Sequence, residues 1–257
     1  MNLDLAGKVV VVTGASGGIG SSIARQFLEQ GCRVALLARD ADRLERTLKK
    51  LVDDFDPEIV LSLPVDCTIE HDLTEAISAI VKTWSKIDIA IANIGDGRSE
   101  QSAVPSSTSF KKTFETNFET ATNLARASQH ELERSKGSLL FISSIAGIEV
   151  MGAPTDYSVA KAALIMLSKQ LSHKFAPNIR VNCIAPGNIY FTGGRWEELM
   201  KSNRDSVSAM IKDSVPLQRF GTPEDVANAA VFLCSPQAAF ITGACLTVDG
   251  GQTVASH

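Results

Sequence analysis

Lys8-Val-Val-Val-Val-Thr13-Gly14-Ala-Ser-Gly-Gly18-Ile-Gly20 is the stretch on which the reading of the chain turns. Four consecutive valines read as a strand, because β-branched side chains suit the pleated backbone and a strand buried on both faces has no polar side. The glycines that follow allow a tight turn. Beyond them Ile23, Ala24, Phe27 and Leu28 fall at helical spacing. The order is strand, turn, helix, and a continuously apolar strand of this kind belongs in a parallel sheet covered by helices on both sides.

The same alternation recurs downstream. Val34 to Ala38 reads as a strand before a helix over 41–52, Ile59 to Pro64 as a strand before a helix over 70–85, and Ile87 to Ala92 as another strand. After Pro105 a long helix is expected from about Thr108 to Glu133, then a strand from Ser138 to Ile142, a helix from Thr155 to about Phe175 and a strand from Ile179 to Ile184. Residues 188–215 break the rhythm with Gly193-Gly194, Trp196 and short amphipathic pieces around 197–200 and 207–212, and read as a lid inserted beside the sheet. Thr222-Pro223 starts a helix reaching Cys234, since threonine caps and proline suits the first helical position. A last strand runs from Cys245 to Val248. With no linker or low-complexity segment, residues 1–257 read as one α/β domain with a parallel sheet.

Composition narrows the function classes. The chain has 257 residues, is 44% hydrophobic and 21% charged, and carries a net charge of -4, with a pI near 5.6. An acidic protein with no Lys or Arg run longer than a pair is not built for nucleic acid or an anionic membrane surface. The start lacks a basic segment followed by an apolar one, and no apolar run approaches the ~20 residues of a membrane span, so a cytoplasmic protein is expected. Five cysteines, odd in number and without a C-x-x-C pair, suggest neither a disulfide framework nor a zinc site. Four scattered histidines give metal catalysis no support.

Tyr157 and Lys161 stand four residues apart in the Thr155 helix and therefore on one face, one turn apart. A free phenol titrates near ~10, and a cation within a few ångström favours phenolate and brings the pKa towards the working range. The alternative is a surface Tyr and Lys on an amphipathic helix. What lifts the pair above that reading is its company: the glycine turn, Asn93-Ile-Gly95 and Ser143-Ser144, in that order.

With these motifs the sequence resembles the short-chain dehydrogenase/reductase family, in the subtype typified by 3-oxoacyl-carrier-protein reductases, over nearly the whole chain. Thr13 to Gly20 matches the family's cofactor turn, Ala92-Asn93-Ile94-Gly95 is similar to its Asn-Asn-Ala-Gly motif, and Asn117 stands where the family has its catalytic asparagine. Ser144 lies thirteen residues before Tyr157, the family's spacing. Pro186-Gly187 and Asp249-Gly250-Gly251 match motifs beside the last two strands. Ala92 and Ile94 depart from the pattern, and so does Phe191, which takes the place of a threonine now found at Thr192.

The resemblance implies a Rossmann-type doubly wound sheet of about seven strands in the order 3-2-1-4-5-6-7. It also implies a hydride transfer between NAD(P)(H) and a carbonyl or secondary alcohol. Tyr157 would act as acid or base, Lys161 would lower its pKa and bond the nicotinamide ribose, Ser144 would steady the substrate oxygen, and Asn117 would hold a water linking Lys161 to solvent. Cofactor contacts carried over are Gly14, Ser16, Gly18, Ile19 and Gly20 in the turn, Arg39, Asp66 and Cys67 at the adenosine end, and Asn93 and Gly95. Tyr157, Lys161, Pro186, Gly187, Ile189 and Thr192 complete the set. No metal is implied.

Arg39, just after the second strand, favours NADP(H), because arginine pairs with a 2′-phosphate. Asp40 and the absence of a basic residue at Gly17 speak for NAD(H). The rival readings are an NAD-linked dehydrogenase of a sugar, steroid or other secondary alcohol, and a dinucleotide sensor without turnover. A homotetramer or homodimer is the expected assembly, and a small carbonyl or alcohol the expected partner.

Overall fold

The computed structural model describes residues 2–254. Seven parallel strands form one sheet in the order β3-β2-β1-β4-β5-β6-β7. They are β1 (Val9–Thr13), β2 (Arg33–Ala38), β3 (Val60–Pro64), β4 (Ile89–Ala92), β5 (Ser138–Ile142), β6 (Arg180–Pro186) and β7 (Cys245–Val248). The helices are α1 (Gly18–Glu29), α2 (Ala41–Val52), α3 (Glu70–Trp84), α4 (Ser107–Phe114), α5 (Thr120–Ser135), α6 (Thr155–Phe175), α7 (Arg195–Ser202), α8 (Arg204–Ser214) and α9 (Pro223–Cys234).

The four valines of β1 explain the layering. Because strand side chains alternate in direction, Val10 and Val12 join one apolar core with α1, α2 and α9, while Val9 and Val11 join the other with α3, α5 and α6. All four are fully buried. Thr222 and Asp225 cap α9 reciprocally, as the threonine-proline start predicts.

The structure departs from the sequence reading in three places. The long helix expected over 108–133 is interrupted by a π-turn at Glu115–Glu119 and runs on to Ser135. The short amphipathic pieces expected over 188–215 are two helices, α7 and α8, of eight and eleven residues. The strand expected from Ile87 begins at Ile89, because Asp88 is an anchor and not a ladder residue. The Asp88 carboxylate is 4% exposed and accepts from the Lys8 ammonium at 3.0 Å, the Lys86 ammonium at 2.9 Å and the Val9 N–H at 2.9 Å. It ties the start of β1 to the start of β4. Among the described residues no helix is long and apolar enough to cross a membrane.

Burial pushes the Asp88 carboxyl up, but the Lys86 and Lys8 ammoniums and the Val9 amide hold it below its ordinary value of 3.8. A depressed folded-state pKa means that the stabilisation is present above the unfolded value and is lost as the pH falls through the folded one. Asp88→Asn is expected to lower stability by about 2 kcal/mol at neutral pH, read by chemical denaturation. The deficit should shrink as the pH falls below the ordinary carboxylate value of 3.8 and through the lower folded-state one; a deficit unchanged by acid assigns the loss to packing and not to charge.

Candidate active site

A cleft of about 420 Å³ opens at the C-terminal ends of β1, β4, β5 and β6, with Gly14, Ser16, Ile19, Asn93, Gly95, Ser144, Tyr157, Pro186, Gly187 and Ile189 among its lining residues. This is the crevice side of a doubly wound sheet, at the point where the strand order reverses.

One wall is the turn between β1 and α1. Gly14 and Gly18 have φ of +67° and +54°, conformations that a side chain disfavours. A β-carbon on Gly20 would lie 2.3 Å from the Gly14 carbonyl oxygen, so a glycine there lets α1 start hard against the turn. Asn93, at the end of β4, donates its side-chain amide to the carbonyls of Thr13 at 3.1 Å and Gly14 at 3.3 Å. Its backbone N–H bonds the Thr13 hydroxyl at 3.2 Å. Asn93 thus shapes the turn from behind. The N-terminus of α1 has no side-chain cap and no acid in its first turn. Its first N–H groups and positive dipole end therefore lack a counter-charge, and a pyrophosphate fits that donor set.

Phe191 covers this turn. Its ring lies 2.6 Å from where a β-carbon on Gly18 would stand, and it divides the cleft from a neighbouring one of about 490 Å³. Thr192 lines that second cleft together with Gly18 and is not brought beside Tyr157.

The opposite wall is docked on α6. Ser143 donates its hydroxyl to the Lys161 carbonyl at 2.7 Å, and a β-carbon on Gly147 would come 2.6 Å from the Lys161 carbonyl carbon. Backbone packs on backbone here, which sets Ser144 opposite Tyr157. The Ser144 oxygen accepts from the Ala146 N–H at 3.1 Å and its hydroxyl hydrogen-bonds that of Tyr157.

Lys161 lies beneath, 2% exposed, with its ammonium donating to the Ile142 carbonyl at 3.1 Å. Asn117 is 1% exposed within the π-turn, a rare element that recurs at functional sites. Its side-chain oxygen accepts from the Asp96 N–H at 2.9 Å, and its amide donates to the Asp96 and Thr113 carbonyls, each at 3.1 Å. A methyl on Gly95 would come 2.7 Å from the Lys161 nitrogen and 3.1 Å from the Asn117 oxygen, so these two groups converge under that glycine.

The electrostatics differ from the expected depression of the phenol. Burial pushes the half-buried Tyr157 up, the Ser144 hydrogen bond pulls it down, Asp96 pushes it up again, and the result is a phenol above its ordinary value of 10.0. The Lys161 ammonium is 5.8 Å from the ring centre and is directed to the Ile142 carbonyl, too far to reverse the effect of burial. Burial likewise pushes Lys161 down to about 8, opposed by the nearby Cys183 thiol.

At the adenosine end the carried-over residues are dispersed. Arg39 is 80% exposed and 3.9 Å from the Asp66 carboxylate, whose other oxygen takes the Thr68 N–H and hydroxyl at 3.0 and 2.8 Å. Cys67 is buried in the core, and its carbonyl accepts from Asn123 at 3.1 Å. Two residues outside the sequence reading matter as well. Asp156 is fully buried and accepts from Ser99 at 2.5 Å, Ser109 at 2.9 Å and Thr113 at 2.8 Å, while its other oxygen takes the Tyr157 N–H. It fastens the segment after β4, and α4, to the start of α6. Arg43, from α2, lines the cleft beside Gly17. Neither belongs to a local motif; only the long-range packing reveals them.

The family model described as enoyl-(acyl carrier protein) reductase matches residues 14–253. The chain belongs to the short-chain dehydrogenase/reductase family. It is 33% identical to the 3-oxoacyl-[acyl-carrier-protein] reductase of Chlamydia muridarum over 254 residues, covering 98% of this chain and 100% of that one. The L-sorbose reductase of Gluconobacter frateurii, solved with NADPH and L-sorbose, superposes with a TM-score of 0.91 at 32% identity over 100% of both chains. A 7α-hydroxysteroid dehydrogenase solved with NADH and 7-oxo glycochenodeoxycholic acid gives a TM-score of 0.87 at 30% identity, over 97% of this chain and 96% of that one. This short-chain dehydrogenase/reductase is therefore an NAD(P)-dependent oxidoreductase, and the uncapped start of α1 suits its dinucleotide.

Gly95→Ala tests the convergence under β4. The added methyl has to displace the Lys161 ammonium or the Asn117 amide. The expected result is a fall in kcat of at least about tenfold with a melting temperature within about 3 °C of the parent. Unchanged turnover would mean that neither position matters.

Proposed function

We propose that this enzyme interconverts a ketone or 3-oxoacyl carbonyl and the corresponding secondary alcohol with NADP(H), Tyr157 carrying the proton. The observation behind the reading is that Tyr157 and Ser144 line one wall of a cleft, with Lys161 and Asn117 meeting beneath its Gly95, while the other wall is an uncapped helix N-terminus. When bound, the dinucleotide supplies or accepts the hydride. Tyr157 holds its proton at the phenol oxygen and gives it to the oxygen of the substrate as charge develops there. Ser144, bonded to that phenol, offers a second polar contact for the substrate oxygen and steadies its charge. Lys161 places a positive charge beneath the phenol, and Asn117 braces the segment after β4 through both its amide atoms.

NADP(H) is favoured because the end of β2 presents Ala38 and Arg39, while Asp40, the acid that competes for a ribose hydroxyl, is engaged as the cap of α2, accepting from the Arg43 N–H at 2.9 Å. The NADPH-bound L-sorbose reductase supports this side, and the NADH-bound steroid dehydrogenase the NAD-linked alternative. Residues 188–215 act as the lid in this reading. Arg98, after β4, grips Glu198 of α7 at 2.6 Å and bonds the Gly193 carbonyl at 3.4 Å, which holds α7 across the cleft. A homotetramer or homodimer is supported by apolar side chains left exposed on α6, Val159 and Met166.

Tyr157→Phe is expected to lower kcat for ketone reduction by roughly 10²- to 10⁴-fold while dinucleotide affinity, read by fluorescence titration, changes little. A variant with parental turnover would sink the assignment. The pH profile of kcat/KM for reduction gives an independent check. Tyr157, pushed above its ordinary value of 10.0, keeps its proton where Lys161 discharges, as the pH rises through about 8, so the profile should be level near neutrality and decline above about 8. A flat profile to about pH 10 excludes a part for the Lys161 charge.

A further inference from the structure

The adenosine end of the site contains an arginine that the functional reading has not used. β2 and β1 are in register from Arg33 opposite Val9 to Leu37 opposite Thr13, and the Ala15 N–H donates to the Leu37 carbonyl at 3.2 Å. The end of β2 and the glycine turn are thereby held side by side. In a doubly wound sheet the adenosine ribose sits at the end of the second strand, so its 2′-position falls between these two segments. Arg43 rises into that gap from the first turn of α2. Its guanidinium is 3.4 Å from where a β-carbon on Gly17 would stand, and the residue borders both the Tyr157 cleft and its neighbour.

Arg46 and Lys50, further along α2, line only the second cleft, whereas Arg43 borders both, and several other charged groups nearby are committed elsewhere. Arg39 reaches towards Asp66, away from α2. Arg25 pairs with Asp54 and, at 3.9 Å, with Glu29. Asp40 is drawn back to cap the helix on which Arg43 stands. Glu224, the acid among the lining residues of the second cleft, accepts from the Ser22 hydroxyl at 3.3 Å. Arg43 itself has no ion-pair partner among the described residues. An unpaired guanidinium beside a side-chain-free backbone has both the charge and the fork geometry to take a phosphate through two parallel bonds.

We propose that Arg43, and not Arg39 alone, reads the 2′-phosphate of NADP(H), with Gly17 leaving the room for it. Specificity for the phosphorylated dinucleotide then comes from a helix that sequence motifs of the turn do not include. This deepens the NADP(H) reading and rests on it.

The test is calorimetric titration of 2′,5′-ADP and of 5′-AMP into the parent enzyme and its Arg43→Ala, Arg43→Lys, Arg39→Ala and Arg46→Ala variants, alongside kcat/KM with NADPH and NADH. Arg43→Ala should weaken 2′,5′-ADP roughly tenfold to hundredfold and lower kcat/KM for NADPH in proportion, with 5′-AMP and NADH within about threefold. Arg43→Lys should fall between the two, since an ammonium keeps the charge and loses the fork. Arg46→Ala, one turn further along the same helix, should leave both probes within about threefold. Equal weakening of both probes by Arg43→Ala overturns the proposal, and so does loss of 2′,5′-ADP affinity in Arg39→Ala alone. If the parent enzyme prefers NADH and does not distinguish the probes, the NADP(H) reading itself fails; the other adverse outcomes leave that preference standing.

Discussion

The closing of the β1 to α1 turn against the end of β4 is the constraint on which the rest of the site depends. Asn93, just beyond the end of β4, donates its side-chain amide to the carbonyls of Thr13 and Gly14, and a hydrogen bond of this kind contributes about 0.5–1.5 kcal/mol net. Gly20 permits the approach because any β-carbon there would strike the Gly14 carbonyl. Once the turn is held in this way, the axis of α1 is aimed into the crevice and its uncapped N–H groups face the space between β1 and β4. The strand geometry thus presents a donor set suited to a phosphate, with no cationic side chain in the turn itself.

The same device appears on the other wall. Gly147 brings the segment after β5 against the backbone of α6 at Lys161, and Ser143 bonds the carbonyl of that residue. Each wall of the cleft is positioned by a glycine that accepts a backbone contact and a polar side chain that satisfies the carbonyls nearby. α6 also carries two buried charges five residues apart, Asp156 and Lys161. They are not equivalent. Asp156 is surrounded by three hydroxyls and a backbone N–H, a saturated set that keeps it ionised and makes it a clamp on the segment after β4. Lys161 has three donors and one hydrogen bond, to Ile142. Its remaining capacity is what a site requires and a scaffold does not.

Much of this was legible in the sequence because the fold relies on local signals. Continuous valines, a glycine turn and helical periodicity identify β1 and α1, and the alternation that follows gives a parallel sheet with nearly all its strands in the right place. Order and spacing single out Tyr157, Ser144, Lys161 and Asn117, and the structure places Tyr157 and Ser144 on the cleft wall with polar atoms of Lys161 and Asn117 meeting beneath Gly95. What could not be read was set by contacts across long intervals. The π-turn at Asn117 has no composition of its own, and although the exchange of Phe191 for Thr192 shows in the sequence, the packing of the Phe191 ring over Gly18 depends on how a loop folds back on the glycine turn. The same holds for Arg43, whose role is invisible until α2 is laid beside the turn. The pKa of Tyr157 was misjudged for a related reason: spacing fixes the side of the helix that Tyr157 and Lys161 share, but the hydrogen bond to Ile142 and the depth of burial decide what the ammonium does for the phenol.

That depth has a consequence for the chemistry. Desolvation opposes charge of either sign, so it drives the phenol and the ammonium towards their neutral forms, one by raising its pKa and the other by lowering it to about 8. Left alone, the pair rests as a protonated phenol beside an ammonium that is easily discharged. A phenol raised in this way is a poor base and a secure reservoir for one proton, which suits donation to an oxygen that is becoming an anion. The charge of Lys161 gains its full effect only when negative charge appears nearby, because at low dielectric an ion pair is worth more than either ion in isolation. The arrangement therefore favours the charge-separated moment of the reaction over the resting state. It does so through the burial of Lys161 beneath the phenol, and the glycine-mediated contact at Gly147 is what sets α6 and its lysine in that place.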